Sequence, residues 1–284
     1  MPKHSLFRLA SKIYNVPHLI TPSAFNVVLD YLDARNSGLT LMMPAESDTN
    51  ATEETSNMDN GLAVINVDGS LTYQPVMTMC GEVGTSYQSL AEQVEDVIEC
   101  GCKTIVMNIT SGGGEASHVF QCAQDIREMC DAANVKLISY ADTYMCSAAY
   151  ALGVISDIVI ANPSATVGSI GCVVCLLDTS KAMEQAGLKR IFITSGEAKV
   201  PYDDTGAFKQ DFLDSIQKDV NDLNTEFADF VSKYSGIDAK LVRGFDAASF
   251  NAQEALDKGL VNGIMTNKQF AAYVADIHQG ATYA

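Results

Sequence analysis

Positive charge is scarce in this sequence: 18 Lys and Arg stand against 35 Asp and Glu, a formal net charge of −17 over 284 residues. Sequence-independent nucleic-acid binding needs clustered Lys and Arg facing phosphates, and docking on an anionic membrane surface needs the same, so both classes are excluded. Long apolar runs are missing too. No stretch approaches the roughly 18 consecutive apolar residues of a transmembrane helix. The first residues carry Lys3, Arg8 and Lys12 but no apolar core followed by a small-residue cleavage site. Neither a membrane anchor nor a secretory signal is therefore expected. Histidine is limited to His4, His18, His118 and His278. Cysteine is more frequent, but the pairs Cys100/Cys102 and Cys172/Cys175 have no His or second Cys pair at zinc spacing. Cys80, Cys122, Cys130 and Cys146 sit among apolar neighbours. The reading is reduced, structural thiols in a cytoplasmic setting, with no metal and no cofactor.

What is present describes a globular chain, 47% hydrophobic and 19% charged. A fold of this length buries roughly 75% of its unfolded surface, enough for a full core without disulfides. Residues 1–44 read as an N-terminal arm with a helical stretch over 23–35. Residues 45–60 are polar and acidic, with Glu46, Asp48, Glu53, Glu54 and Asp59 and no Lys or Arg, and read as a flexible linker. The main domain then spans 61–284. Strand patterns over 62–67, 104–109, 135–140, 158–161 and 191–194 alternate with helical or loop segments, including helices over 86–100 and 116–132. That alternation implies βαβ units and an α/β fold. Residues 207–234 keep an apolar stripe as one long helix.

Three segments are candidates for chemistry. The first, Ser111-Gly112-Gly113-Gly114-Glu115, joins a strand to a helix. Its exposed N–H groups suit a phosphate cradle, an oxyanion hole or simply a tight turn. No Lys follows the glycines and Glu115 would repel a phosphate, which disfavours the cradle. In the second segment Ser147 lies at a strand-to-helix junction before Ala148-Ala149-Tyr150, followed by Gly168-Ser169-Ile170-Gly171. A serine there can present its hydroxyl as a nucleophile, but taken alone it reads first as a helix cap or a packed small residue. The third, residues 194–202, carries Lys199, whose plain reading is a solvated surface lysine.

Taken together, these segments resemble the signal-peptide-peptidase/protease IV family of serine peptidases, with their ClpP/crotonase-like fold of repeated ββα and βα units. Within it they are most similar to the head-maturation proteases of tailed phages. The likeness runs over about residues 12–265 and rests on Ser111–Gly114, Ser147–Tyr150, Gly168–Gly171, Lys199 and the closing Ala255, Gly259, Leu260 and Val261. Gly112 replaces the family's usual proline and Thr110 its usual asparagine. The start of the chain, residues 14–20, is also similar to phage members, which often continue into a long C-terminal scaffolding region; this sequence stops at Ala284. The resemblance implies a Ser-Lys dyad in which Ser147 attacks the scissile carbonyl, Lys199 takes its proton and Ser169 orients the amine. Gly113 or Gly114 and Ala148 would form the oxyanion hole. No histidine lies between Ser147 and residue 277, which disfavours a Ser-His-Asp triad. A free lysine is neutral in only roughly one molecule in 2,500 at pH 7, so a lysine base needs a dry site with no carboxylate facing it. His118 reads as packed or surface-exposed.

The resemblance further implies a serine endopeptidase acting on capsid, scaffold or portal-associated proteins in an assembling procapsid in the host cytoplasm. A homo-oligomer is expected, since in relatives the lysine can come from a neighbouring subunit. Three other readings share the fold: a bacterial signal-peptide-degrading peptidase, a non-catalytic capsid or scaffolding protein, and a crotonase-type acyl-CoA enzyme.

Overall fold

The computed structural model describes residues 10–36, 57–78 and 81–278. The arm supplies β1 (Pro17–Ile20) and α1 (Pro22–Asn36). The body opens with β2 (Asn57–Asp59) and β3 (Leu62–Asp68). Four short strands follow, β4 (Leu71–Thr72), β5 (Met77–Thr78), β6 (Gly81–Glu82) and β7 (Thr85–Ser86), and then α2 (Tyr87–Glu99). β8 (Thr104–Ser111) and β9 (Gly113–Glu115) lead into α3 (Val119–Ala133), and β10 (Lys136–Cys146) leads into α4 (Ala148–Gly153). Next come β11 (Ile158–Ala161), β12 (Thr166–Gly168), β13 (Val173–Val174), α5 (Ser180–Gln185) and the long α6 (Gln210–Ser235). The body closes with α7 (Ala239–Gly244), β14 (Ser249–Asn251), α8 (Ala252–Asp257), β15 (Gly263–Ile264) and α9 (Asn267–His278).

The main sheet runs β14-β12-β10-β8-β3-β2, with β11 also on β10 and β15 on β11. β3, β8 and β10 are parallel, with Ile65 opposite Met107 and Met107 opposite Ser139. β8 is covered on both faces: Ile105, Met107 and Ile109 are fully buried, and Val106 nearly so. This accounts for its apolar run over 105–109, broken only by Asn108, whereas β3 buries only Ala63, Ile65 and Val67 and alternates. One face packs against α2 through Leu90, Val94 and Val97 and against α3 through Val119, Ala123 and Ile126. Ser86 caps α2 by accepting from the Ser89 amide. The other face holds a smaller cluster of Val106, Ile138, Tyr140 and Ile160 with Phe270 and Val274 of α9. The α/β class expected from the sequence is present, and β8-β9-α3 and β10-α4 are the repeated ββα and βα units of the ClpP/crotonase-like arrangement.

A second sheet, β13-β1-β9-β4-β7, sits beside the main one and includes the arm. Two sequence expectations meet a different outcome. Residues 191–194 form no strand; Ile191 is 81% and Ile193 99% exposed, and among the described residues no strand pairs with them to complete a ladder. Residues 45–56 of the expected acidic linker lie outside the described residues, and Asn57–Asp59 pair antiparallel with β3. All seven cysteines among the described residues are free, and Cys80 lies outside them. Burial pushes the Cys122 thiol up to about 12 and those of Cys130, Cys146 and Cys172 up to about 11, so they stay protonated at neutral pH. Among the described residues no helix is long and apolar enough to cross a membrane, and no three His, Cys, Asp or Glu side chains gather to hold a metal ion.

Candidate active site

Ser147 is the single residue between β10 and α4, and it stands at φ 57°, ψ −121°. That backbone region is sparsely populated for a residue with a Cβ and persists only where the surroundings over-determine it. They do so here. The Ser147 amide donates to the Gly168 carbonyl at 2.8 Å, and its own carbonyl accepts from the amides of Tyr150 and Ala151 at 2.9 and 3.1 Å. Every residue of α4 is buried. The Tyr150 hydroxyl, whose pKa burial raises, donates to the Leu260 carbonyl at 2.9 Å. This ties the helix to the closing Gly259-Leu260-Val261 turn. A strained strand-turn-helix junction of this kind presents a side-chain oxygen at the top of a sheet. The Ser147 hydroxyl makes a long 3.4 Å hydrogen bond to the Gly171 carbonyl, and the residue has no solvent exposure.

Register brings the second serine alongside. Cys146 of β10 pairs with Gly168 of β12, so Ser147 and Ser169 leave neighbouring parallel strands at the same level. Ser169 is 4% exposed, stands at φ 51° and donates its amide to the Ala248 carbonyl at 2.8 Å.

The glycine turn lies beside them. A Cβ built on Gly113, at φ 98°, would sit 2.1 Å from the Leu19 carbonyl oxygen, 3.0 Å from the Ser147 Cβ and 3.1 Å from the Ala148 amide nitrogen. On Gly114 it would sit 1.9 Å from the Leu71 carbonyl oxygen. Only glycine lets β1 and β4 close on both sides of β9. The Gly113 amide donates to the Ser111 hydroxyl at 3.1 Å, and that hydroxyl donates to the Gly69 carbonyl at 2.6 Å. Ala148 opens α4, where a helix leaves its first amides without intrahelical partners. Glu115 binds protein groups: it accepts from the Tyr73 amide at 2.9 Å and pairs with Lys12 at 3.0 Å.

Lys199 ends a 3-10 turn, Glu197–Lys199, and is exposed. Among the described residues it shares no hydrogen bond with Ser147 and forms no ion pair with Glu197, Asp203 or Asp204. Asp203 is taken up by its own turn, accepting from Thr205 and from the Ala207 amide; the Thr205 hydroxyl foremost lowers its pKa. His118 packs flat on Tyr73, with ring centroids 3.8 Å apart, and its Nδ1 lies 2.6 Å from the Ser117 hydroxyl. It borders a groove of about 520 Å³ between α3 and α6.

Residues 17–20, within the 14–20 segment similar to phage members, form a strand of this surface that the sequence pattern does not predict. β1 lies antiparallel between β9 and β13, with Leu19 opposite Gly114, Ile20 opposite Gly113 and His18 opposite both Glu115 and Val173. The apolar residues here, Val16, Pro17, Leu19 and Ile20 around His18, are too few to carry a period.

Residues 130–280 match the model of peptidase family S49, a span that holds Ser147, Ser169 and Lys199. The chain belongs to peptidase family S49. It is 25% identical over 295 residues to the capsid assembly protease C of Escherichia phage lambda, covering 96% of this chain and 66% of that protein. It is 26% identical over 207 residues to the head-tail preconnector protein GP5 of Enterobacteria phage P21, covering 72% and 41%. The chain thus spans less than two thirds of either relative. Among solved structures, a 1510-N membrane-bound stomatin-specific protease matches with a TM-score of 0.43 and 13% identity, covering 76% of this S49 chain and 84% of the other. The ClpP protease catalytic domain of Plasmodium falciparum matches with a TM-score of 0.41 and 12% identity, covering 72% and 86%.

Proposed function

We propose that this S49 chain is a serine endopeptidase with a Ser147–Lys199 dyad, acting on capsid, scaffold or portal-associated proteins as a phage head matures in the host cell. The observation that carries the reading is Ser147 itself: a non-glycine residue held at positive φ on a strand-to-helix junction, flanked by Gly113, Ala148 and the Gly168–Gly171 turn. In the proposed reaction the Ser147 oxygen attacks the scissile carbonyl carbon while its proton passes to the neutral Lys199 amine. The amides of Gly114 or Gly113 and of Ala148 hold the oxyanion, each worth about 3–4 kcal/mol in comparable sites. The lysine proton then goes to the leaving amine, freeing the new N-terminus and leaving an acyl-serine. Water then attacks the acyl carbon as it loses a proton to Lys199, the acyl–oxygen bond breaks, and Lys199 passes that proton to the Ser147 oxygen as the acid leaves. Ser169 orients the amine.

An exposed lysine is a poor base, and the dyad needs Lys199 drawn into a dry pocket. We propose that a second copy of the chain supplies that cover, as a homo-oligomer. Supporting this, the segment that carries Lys199 also exposes Leu188, Ile191, Phe192 and Ile193, an apolar cluster that water would otherwise cover. The relatives named for capsid assembly and head-tail connection favour the phage-head setting over signal-peptide degradation. Co-expression with the major head and portal proteins tests the function by mass spectrometry. Wild type should shorten at least one of them, and Ser147→Ala should fold normally yet cleave none. Undiminished cleavage by Ser147→Ala would end the proposal.

A further inference from the structure

We propose that residues 17–21 of the arm are an intramolecular plug, occupying the peptide-binding channel beside Ser147 so that the chain must release its own strand before it can take a substrate. The inference rests on Ser147 as the reactive centre and extends that reading to its control. β9 carries the candidate oxyanion glycines and β13 follows the Gly168–Gly171 turn. The gap between them is one strand wide and β1 fills it, pairing with both. Adding a strand between two edges is how an extended peptide is bound by its main chain, so arm and external peptide need the same space.

The arm is fitted there by more than register. The Thr21 amide donates to the Gly112 carbonyl at 2.8 Å, the Asn15 amide to the Cys175 carbonyl at 2.9 Å, and Lys12 pairs with Glu115 at 3.0 Å. His18, Leu19 and Ile20 are all buried. A Cβ at Gly112 would meet the Thr21 hydroxyl at 2.9 Å and the Ala24 Cβ at 3.3 Å, so the turn and the arm are matched in shape. The arm also presents a peptide carbonyl to the site: the Leu19 oxygen, the Ser147 Cβ and the Ala148 amide all surround the same point beside Gly113. With the arm in place Ser147 has no exposed surface.

The test measures how reachable position 147 is, independently of catalysis. In full-length Ser147→Cys chain, the alkylation rate of the new thiol by iodoacetamide is followed by peptide-resolved mass spectrometry. A second version adds Pro17→Cys and Val174→Cys, facing positions of β1 and β13, so that oxidation locks the arm in place. A third adds Thr21→Pro, which deletes the donor to Gly112. The plug predicts at least tenfold slower alkylation in the oxidised lock than in the same chain reduced, and severalfold faster alkylation with Thr21→Pro. Equal rates in all forms would overturn it. So would intact-mass evidence that wild type cuts its own chain after Leu19, which would make the arm a substrate. Gated alkylation combined with no peptide hydrolysis by the chain that keeps Ser147 and carries Thr21→Pro would uphold the plug and overturn the peptidase reading.

Discussion

His18 is the residue whose ionisation bears most directly on the site. Its Nε2 lies 3.2 Å from the Ile13 carbonyl oxygen and its ring leans on Phe25, with centroids 5.2 Å apart. Burial lowers its pKa from the ordinary 6.5, while the Ile13 carbonyl and the nearby Glu115 charge act in the opposite direction. A released arm therefore binds a proton as the pH falls through about 6.5, where the docked arm resists it. Docking is at full strength above that pH and weakens below it, because the released state then holds more protons. Hydrogen exchange at the amides of residues 18–21, corrected for intrinsic rate, should show less protection at pH 5.5 than at 7.5. Protection that does not change, or that rises in acid, would contradict this. At this scale the sequence is informative where chemistry is local. The small residues after Ser147 and the glycines after Ser111 announce their tight junctions, and the structure places both beside one another. Lys199 is legible as a residue type at a spacing, but the structure leaves it exposed, and no local pattern encodes the cover that the proposed dyad needs.

Among the elements, those with a clear apolar pattern are read correctly, down to the four residues of β11, and β1 is not. β8 declares itself by six consecutive apolar or β-branched positions broken only by Asn108, and α2 and α3 by their helical spacing. β1 escapes notice because Pro17 and His18 leave it only Leu19 and Ile20 as an apolar signal, whereas all four residues of β11 are apolar. Residues 191–194 have strand-like composition, yet nothing pairs with them in the single chain. Magnitudes suggest why β1 can serve as a removable element. Burying Leu19 and Ile20 contributes about 1.5–3 kcal/mol each, and hydrogen bonds add about 0.5–1.5 kcal/mol apiece. Ordering four residues costs about 1–2 kcal/mol each. These opposing terms are of the same order, so displacing the arm costs far less than unfolding the body. In the 188–193 segment Phe192 stacks on Tyr202, with ring centroids 6.0 Å apart, while Ile191 and Ile193 stand exposed. Ile193→Asp should leave monomer stability within about 0.5 kcal/mol, as for other fully exposed positions, yet weaken self-association at least tenfold by analytical ultracentrifugation. An unchanged association constant would remove this segment from the interface.

For the whole molecule, a charge of −17 per copy sets up repulsion between copies that only short-range contacts overcome. That repulsion reaches about 10 Å at 0.1 M salt and about 3 Å at 1 M, so assembly and any activity that depends on it belong to moderate or high ionic strength. The account is thus one of assembly on two levels. Within a chain, parallel strands bring Ser147 and Ser169 to the same level beside the arm; between chains, the proposed dyad needs the apolar 188–193 segment to carry the exposed Lys199 into a dry place. The central claim is the meeting of that amine with the Ser147 hydroxyl. It is tested most directly by the rate at which a fluorophosphonate modifies the assembled Thr21→Pro chain, with the adduct mapped by mass spectrometry. The account predicts one adduct, on Ser147, forming at least a hundredfold more slowly with Lys199→Met, in line with the 10²–10⁴-fold worth of a general base. An adduct elsewhere, none at all, or the same rate without the lysine would contradict it.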